Sequence, residues 1–111
     1  MSEEGEITLY GSKDCGACKD SDNDLKSNAK GGIKYSYVDI ESHEGQHYLE
    51  SIGIKEGDHT DIPKIKACKI VKDESGNSKK KCAQVSNYDK DKWSSLKEGK
   101  LPELDYKDES S

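Results

Sequence analysis

Residues 6 to 19 have the sequence EITLYGSKDCGACK, and this stretch decides the fold prediction. Ile7 and Leu9 alternate with polar residues and the run is flanked by glycines, a pattern typical of a short strand. Cys15 and Cys18 follow within a few residues, where a helical spacing of apolar residues begins. The stretch therefore predicts a strand followed directly by a helix, with a Cys-x-x-Cys pair at their junction.

The rest of the chain continues this alternation of strands and helices. The pair Gly31-Gly32 is expected to end the first helix, because glycine accepts the left-handed backbone that favours a helix end. In chain order, the patterns predict a helix from Cys15 to about Lys30, a strand over Ile33 to Ile40, a weaker helix over Ser42 to Ile52, a strand after Pro63, a strand over Lys80 to Val85, and a helix capped by Asn87 that ends before Gly99 and Pro102. The first two strands, joined by a helix, predict a parallel βαβ unit.

The last two predicted strands form an antiparallel hairpin whose register follows from its turn. A three-residue loop over 74–76 puts Gly76 at the left-handed position and sets Asp73 opposite Asn77. Counting back, Cys68 faces Cys82, and one face collects the apolar residues Ile65, Ala67, Ala83 and Val85. The two cysteines are therefore expected to be neighbours, as packed free thiols in a reducing compartment and as a bridge under oxidation.

The composition limits the chain to one domain. Its 111 residues and 12.3 kDa leave room for a single core, and 30% hydrophobic against 37% charged residues predict a thin one. We place the domain at residues 6–99, between a polar tail over 1–5 and an acidic tail over 100–111.

The charge and hydropathy exclude several classes of partner. A net charge of −5 argues against a dedicated nucleic-acid or anionic-membrane binder, and no apolar run approaches the ~20 residues of a membrane span. The chain begins with neither a basic nor an apolar segment, so no secretory signal is visible. These features predict a cytoplasmic monomer.

Four cysteines in such a chain call for an explanation. A disulfide framework is typical of short secreted chains, and this chain shows no secretory signal. A four-thiolate zinc site usually has two close pairs of cysteines, whereas Cys68 and Cys82 are far apart in sequence. The remaining interpretation is a redox pair at Cys15 and Cys18. A cysteine at a helix N-terminus has its thiolate stabilised by free backbone N–H groups and by the helix dipole.

The element order β-α-β-α-β-β-α, with Cys-x-x-Cys after the first strand and a proline opening the third, resembles the thioredoxin fold. That fold is α/β, with a central four-stranded mixed sheet flanked by helices. Within this superfamily the chain most resembles the glutaredoxins, over about residues 6 to 98. The residues that carry the resemblance are Tyr10 to Lys19, Tyr37-Val-Asp39 and Ile62-Pro63-Lys-Ile65. Thioredoxins proper have Trp before the first cysteine and a buried Asp in the first strand, where this chain has Asp14 and Leu9.

The resemblance implies a dithiol disulfide oxidoreductase that needs no bound cofactor or metal. Cys15 is then the attacking thiol and Cys18 the resolving thiol, acting on protein disulfides or on mixed disulfides with glutathione. The resemblance also implies a cis peptide bond between Ile62 and Pro63. This bond would hold the Ile62 backbone beside the sulfurs, where it can pair with an extended substrate.

The resemblance leaves the electron donor open, between glutathione as a co-substrate and a reductase. Lys13 is a candidate contact for a carboxylate of the substrate. Asp61, in contrast, puts negative charge where anionic glutathione should dock, and Ser86-Asn87 replaces a glycine pair that glutaredoxins commonly have.

Two further histidine patterns need weighing. The segment His43-Glu44-Gly45-Gln46-His47 matches the H-E-x-x-H pattern of zinc proteases, but a central glycine weakens the helix and the chain is small for a protease. We interpret it as exposed polar surface, without a metal. His59, before Pro63, is likewise interpreted as a surface residue of a loop.

Lysines cluster on the predicted hairpin of this otherwise acidic chain. They are Lys64, Lys66, Lys69, Lys72, Lys79, Lys80 and Lys81. Lysine on an exposed edge strand discourages pairing with other chains, and we favour this interpretation over docking to an acidic partner.

Two functional hypotheses remain. The first is a glutaredoxin-like thiol-disulfide oxidoreductase that cycles Cys15 and Cys18 between dithiol and disulfide. The alternative is a binding or regulatory module of the same fold, whose cysteine pair is a redox sensor or a metal knuckle.

Overall fold

The protein has a mixed sheet with helices on both of its faces. The computed structural model describes residues 4–51, 63–86 and 88–108. In chain order the elements are β1 (Gly5–Gly11), α1 (Gly16–Asn28), β2 (Ile33–Asp39), α2 (His43–Ser51), β3 (Lys64–Lys72), β4 (Ser78–Val85), α3 (Lys90–Trp93), a 3₁₀ helix (Ser94–Glu98) and β5 (Lys107–Asp108). The predicted α/β class and the predicted order of the elements are confirmed.

The sheet has the strand order β2-β1-β3-β4-β5. Strands β1 and β2 are parallel, as expected for two strands connected by helix α1. Strand β3 runs antiparallel to both β1 and β4. Four strands therefore form the mixed sheet that the sequence predicts, and the two-residue β5 adds a short fifth strand.

Each face of the sheet has its own apolar cluster, because successive side chains along a strand point to opposite faces. On one face, Ile7 and Leu9 of β1 pack with Leu25 of α1 and with Trp93 and Leu96, and all five are fully buried. The opposite face is covered by α2 and carries a smaller cluster: Tyr10, Ile40, Tyr48 and Leu49. The Tyr10 and Tyr48 rings are stacked with their centroids 3.7 Å apart.

The β3–β4 hairpin has the predicted register. Asp73 faces Asn77 with its N–H donating to the Asn77 carbonyl at 2.9 Å, and Gly76 has the left-handed φ of 85°. Cys68 pairs with Cys82, and the other predicted pairs follow: Ile65 with Val85, Ala67 with Ala83, Ile70 with Lys80 and Val71 with Lys79.

The ends of two helices differ from the predictions. Helix α1 ends at Asn28 with Ala29 in extended backbone, so the left-handed Gly31 (φ 68°) lies in the turn toward β2 and not at the helix end. The last helix is capped by Asp89, whose side chain accepts the N–H groups of Asp91 and Lys92. The prediction of Asn87 as the cap is therefore wrong, and Asn87 itself lies outside the described residues.

The C-terminal segment is not the free acidic tail that the sequence predicts from residue 100. Leu101 is buried in the main core, and Leu104 and Tyr106 pack against that core. Strand β5 then pairs antiparallel with Lys81 and Cys82 of β4. Three apolar side chains among acidic ones are enough to attach the segment to the core.

No helix within the described ranges is long and apolar enough to cross a membrane.

Candidate redox site

The site begins in the short turn that connects β1 to α1. The Cys15 N–H donates to the Ser12 carbonyl at 3.1 Å, which closes a four-residue turn. The Asp14 N–H donates to the Ser12 hydroxyl at 3.3 Å, and Ser12 is only 3% exposed. These bonds fix the backbone direction with which the chain enters the helix, and so the position of Cys15.

Cys15 is the N-cap residue of α1. Its Sγ accepts the backbone N–H of Cys18 at 3.1 Å, and its side chain is half-buried. When the pair is reduced, the same N–H and the positive end of the helix dipole favour a thiolate at this sulfur. The position predicted for an attacking thiol is therefore one that stabilises its reactive form.

Cys18 lies one turn into α1 and is fully buried. Its Cα is 5.2 Å from the Cα of Cys15, and the two sulfurs are at disulfide distance. Cys15 is thus the more exposed residue of the pair, and Cys18 is enclosed. The attacking role of Cys15 and the resolving role of Cys18 stay predictions, with which this difference in burial is compatible.

Gly11 leaves the space that Cys18 occupies. A Cβ on Gly11 would stand 2.8 Å from both the Cβ and the Sγ of Cys18, closer than real Cβ atoms approach. The same point is 3.4 Å from the hydroxyl oxygen of Tyr37, which projects from β2. Gly11 and Cys18 are therefore tightly packed with the Tyr37 hydroxyl beside them, and nothing in the sequence pattern alone brings Tyr37 there.

Replacing Gly11 with Ala is expected to destabilise the protein by about 1–3 kcal/mol, the usual range for an overpacked site. The added methyl group must displace Cys18, so the Cys15–Cys18 disulfide should also become easier to reduce. Denaturant unfolding and titration with a thiol buffer measure the two effects.

Gly16→Ala is the matched control, because a Cβ on Gly16 meets no atom within 4 Å. In this variant we expect unchanged or slightly higher stability, since Ala is favoured over Gly in a helix. Equal behaviour of the Gly11→Ala and Gly16→Ala variants would contradict the role given to Gly11.

Two tyrosines of β2, Tyr37 beside Gly11 and Tyr35 beside Asp22, keep their protons at neutral pH. Burial raises the pKa of Tyr37, and the nearby carboxylates of Asp39 and Asp22 raise it further. Burial also raises the pKa of Tyr35, together with the hydrogen bond that its hydroxyl donates to Asp22. Tyr37 therefore keeps a neutral hydroxyl, which can donate a hydrogen bond.

The predicted substrate-binding residues are only partly described. Pro63 is buried and directly precedes Lys64, which pairs with Tyr10. Pro63 and Gly11 therefore lie at the same end of the paired strands β1 and β3. Lys13 is exposed, two residues before Cys15. Asp61, Ile62 and His59 lie outside the described residues, as does the conformation of the Ile62–Pro63 bond.

The H-E-x-x-H segment forms the start of α2. His43, Glu44 and His47 are exposed, as the interpretation of this segment as polar surface expects. Within the described ranges, no group of three or more His, Cys, Asp or Glu side chains could hold a metal ion. Gly45 has a packing role, because a Cβ there would stand 2.7 Å from the Cα of Ile40.

The second cysteine pair, Cys68 and Cys82, lies toward the end of β1 that is away from the first pair. Cys68 and Cys82 have Cα atoms 4.0 Å apart, so they are neighbours as predicted, and their sulfurs are at disulfide distance. In β1, Cys68 is paired with Glu6, at the end of the strand away from Gly11. Glu6 and Gly11 are five residue steps apart, which corresponds to roughly 17 Å along the strand.

Comparison with protein-family models finds no match to this sequence, and comparisons with curated proteins and with solved structures also find none.

Proposed function

We propose that this protein is a thiol-disulfide oxidoreductase that uses the Cys15–Cys18 pair. The observation that carries the proposal is the difference between the two sulfurs: a half-buried Cys15 capping α1 and a fully buried Cys18 one turn behind it. A structural disulfide has no need for one accessible sulfur stabilised by a helix N-terminus, whereas disulfide exchange requires one.

The reaction that this arrangement supports has two steps. The Cys15 thiolate attacks one sulfur of a substrate disulfide, the substrate S–S bond breaks, and the leaving thiolate takes a proton. The Cys18 thiol then loses its proton and attacks the Cys15 sulfur of the mixed disulfide, which releases the second substrate thiol. The substrate gains two electrons and two protons, and the protein ends as the Cys15–Cys18 disulfide until an external dithiol or reductase restores it.

We further propose that the fold is a thioredoxin fold and that the protein is glutaredoxin-like. The observed element order and the mixed sheet of four main strands support this. So does the position of Pro63 at the Gly11 end of the paired strands β1 and β3.

A contact between Lys64 and Ser86 affects how glutathione could approach the site. The Lys64 ammonium donates to the Ser86 hydroxyl at 2.9 Å, so the segment after Pro63 is tied to the segment where glutaredoxins commonly have two glycines. Side chains that meet here narrow the approach for glutathione. We therefore propose protein disulfides as the main substrates and glutathione mixed disulfides as secondary ones.

The test compares two reducing systems on the same substrates. Reduction of a protein disulfide and of a small glutathione mixed disulfide is followed with glutathione and glutathione reductase, and separately with thioredoxin reductase. We expect turnover in at least one system, and none in either for the Cys15→Ser control. Turnover in neither system would overturn the proposal and favour the binding or regulatory module.

Replacing Tyr37 with Phe is expected to slow the second step and leave the first unchanged. We expect the neutral hydroxyl, which lies near the same point beside Gly11 as the Cys18 sulfur, to donate a hydrogen bond to the developing Cys18 thiolate in the reduced protein. Such a bond contributes about 0.5–1.5 kcal/mol, which corresponds to a roughly 2- to 10-fold rate change. Rapid-quench trapping of the mixed disulfide separates the two steps. Because its pKa is raised, Tyr37 keeps its proton from pH 6 to 9, and the effect should be constant over that range.

Tyr35→Phe is the control. Tyr35 is on the same face of β2 as Tyr37, but its hydroxyl donates to Asp22 of α1. Equal slowing of the second step in both variants would indicate a general effect on packing and contradict the role of Tyr37.

A further inference from the structure

The cross-strand pair Cys68 and Cys82 repeats the asymmetry of the first pair. Cys68 is 4% exposed, whereas Cys82 is half-buried. The two residues face each other directly across β3 and β4 with their sulfurs at disulfide distance. Each pair thus joins one partly exposed cysteine to one buried cysteine.

We propose that Cys68 and Cys82 form a second redox centre, in which the Cys82 sulfur exchanges with small external thiols and disulfides and Cys68 completes or releases the bridge. This goes beyond the proposed oxidoreductase activity, because a separation of roughly 17 Å along β1 prevents direct exchange between the two pairs. The bridge must therefore be made and broken by molecules from outside.

The step balances with a small disulfide of the glutathione type as the oxidant. The Cys82 thiolate attacks one of its sulfurs, the S–S bond breaks, and one thiolate leaves and takes a proton. The Cys68 thiol then loses its proton and attacks the Cys82 sulfur, which releases the second small thiol. Two protein thiols are oxidised, and one small disulfide is reduced to two thiols.

The position of the pair gives this bridge a consequence for the hairpin. On the side toward Pro63, Ile65, Ala67 and Val85 of the hairpin are packed in the main core. On the other side, toward the turn, Lys69 lies opposite Lys81, and Ile70 and Val71 are exposed. Like charges opposite each other weaken strand pairing, so the bridge covalently closes the hairpin where packing with the core ends.

Nearby charges suit an anionic disulfide as the reactant. Lys81 is next to Cys82 in sequence, and Lys107 lies opposite Cys82 on β5. Lys80 pairs with Glu6 at 3.3 Å, and Lys107 pairs with Asp105 at 3.8 Å in an exposed ion pair that screens its charge only weakly. Positive charge close to a thiol favours its thiolate and attracts an anionic molecule such as glutathione disulfide.

The test uses the Cys15→Ser/Cys18→Ser chain, so its result does not depend on the proposed function. The chain is equilibrated in glutathione buffers of increasing oxidised fraction, alkylated, and digested after lysine. Cys68 and Cys82 then fall in separate peptides, 67–69 and 82–90, and a bridged chain gives them as one linked species. We expect a single two-electron transition to the linked species.

Two single variants in the same background identify the exchanging sulfur. With Cys68→Ser, glutathione should be trapped on Cys82, at least about tenfold faster than it is trapped on Cys68 in the Cys82→Ser chain. Absence of the linked species at every buffer composition, or faster trapping on Cys68, would overturn the proposal. Should the background chain not fold, the unmodified protein gives the same readout, because Cys15 and Cys18 fall together in peptide 14–19.

Discussion

Replacing Cys15 with Ser is expected to lower disulfide reduction by on the order of 10³-fold or more, because the attacking thiolate is removed and serine is a far weaker nucleophile at neutral pH. Cys15 is the more exposed cysteine of this pair, since Cys18 is fully buried. The measurement is the initial rate of reduction of a protein disulfide and of a glutathione mixed disulfide, with the protein shown to be folded by circular dichroism.

Cys18→Ser should separate the two substrates. A protein disulfide needs the resolving thiol to release the product, whereas a glutathione mixed disulfide on Cys15 can be released by a second glutathione molecule. We expect this variant to keep activity on the glutathione substrate only. Equal loss of both activities in both variants would contradict the assignment of attacking and resolving thiols.

Reduction of the Cys68–Cys82 bridge is expected to lower the free energy of unfolding by about 3 kcal/mol. The bridge closes a loop of roughly 15 residues, and the unfolded chain regains the conformational freedom of that loop when the bond is broken. The oxidised Cys15→Ser/Cys18→Ser chain, which keeps only this bridge, is unfolded by denaturant with and without a reductant.

The control for this measurement adds Cys68→Ala and Cys82→Ala to the same background. Its unfolding midpoint should not respond to the reductant. An unchanged midpoint in the bridged chain after full reduction would show that the cross-strand bond does not contribute to stability, and would contradict the prediction.

The hairpin register and the position of Cys15 and Cys18 between β1 and α1 were predictable from sequence, because local sequence patterns determine both. Gly76 determines the turn, and a shift of one residue would move Ile65 and Val85 from the core face to the opposite face. The cap at Cys15 follows from the order of strand, cysteine and helix. Such features depend on neighbours within a few residues, so their pattern is complete in a single sequence.

Other features depend on distant contacts and could not be predicted. The apolar residues of the C-terminal segment are spaced irregularly among charged ones, so they show no periodic pattern. Their burial depends on packing against the main core, which the rest of the chain forms: Leu101, Leu104 and Tyr106. Tyr37 has a pattern typical of strand β2, but its closeness to Cys18 comes from the parallel pairing of β2 with β1. Gly45 resembles a helix weakness in sequence, and its close approach to Ile40 appears only when α2 packs on the sheet.

The short fifth strand changes where this protein can safely be cut. The sequence places the end of the domain at residue 99, but a chain ending there would lose the strand that hydrogen-bonds to Lys81 and Cys82. Its unpaired backbone groups on β4 would then be free to accept a strand from another molecule, next to apolar core surface that Leu101 no longer covers. We therefore expect a chain that ends at residue 99 to be less stable and more prone to self-association than one that keeps the C-terminal residues.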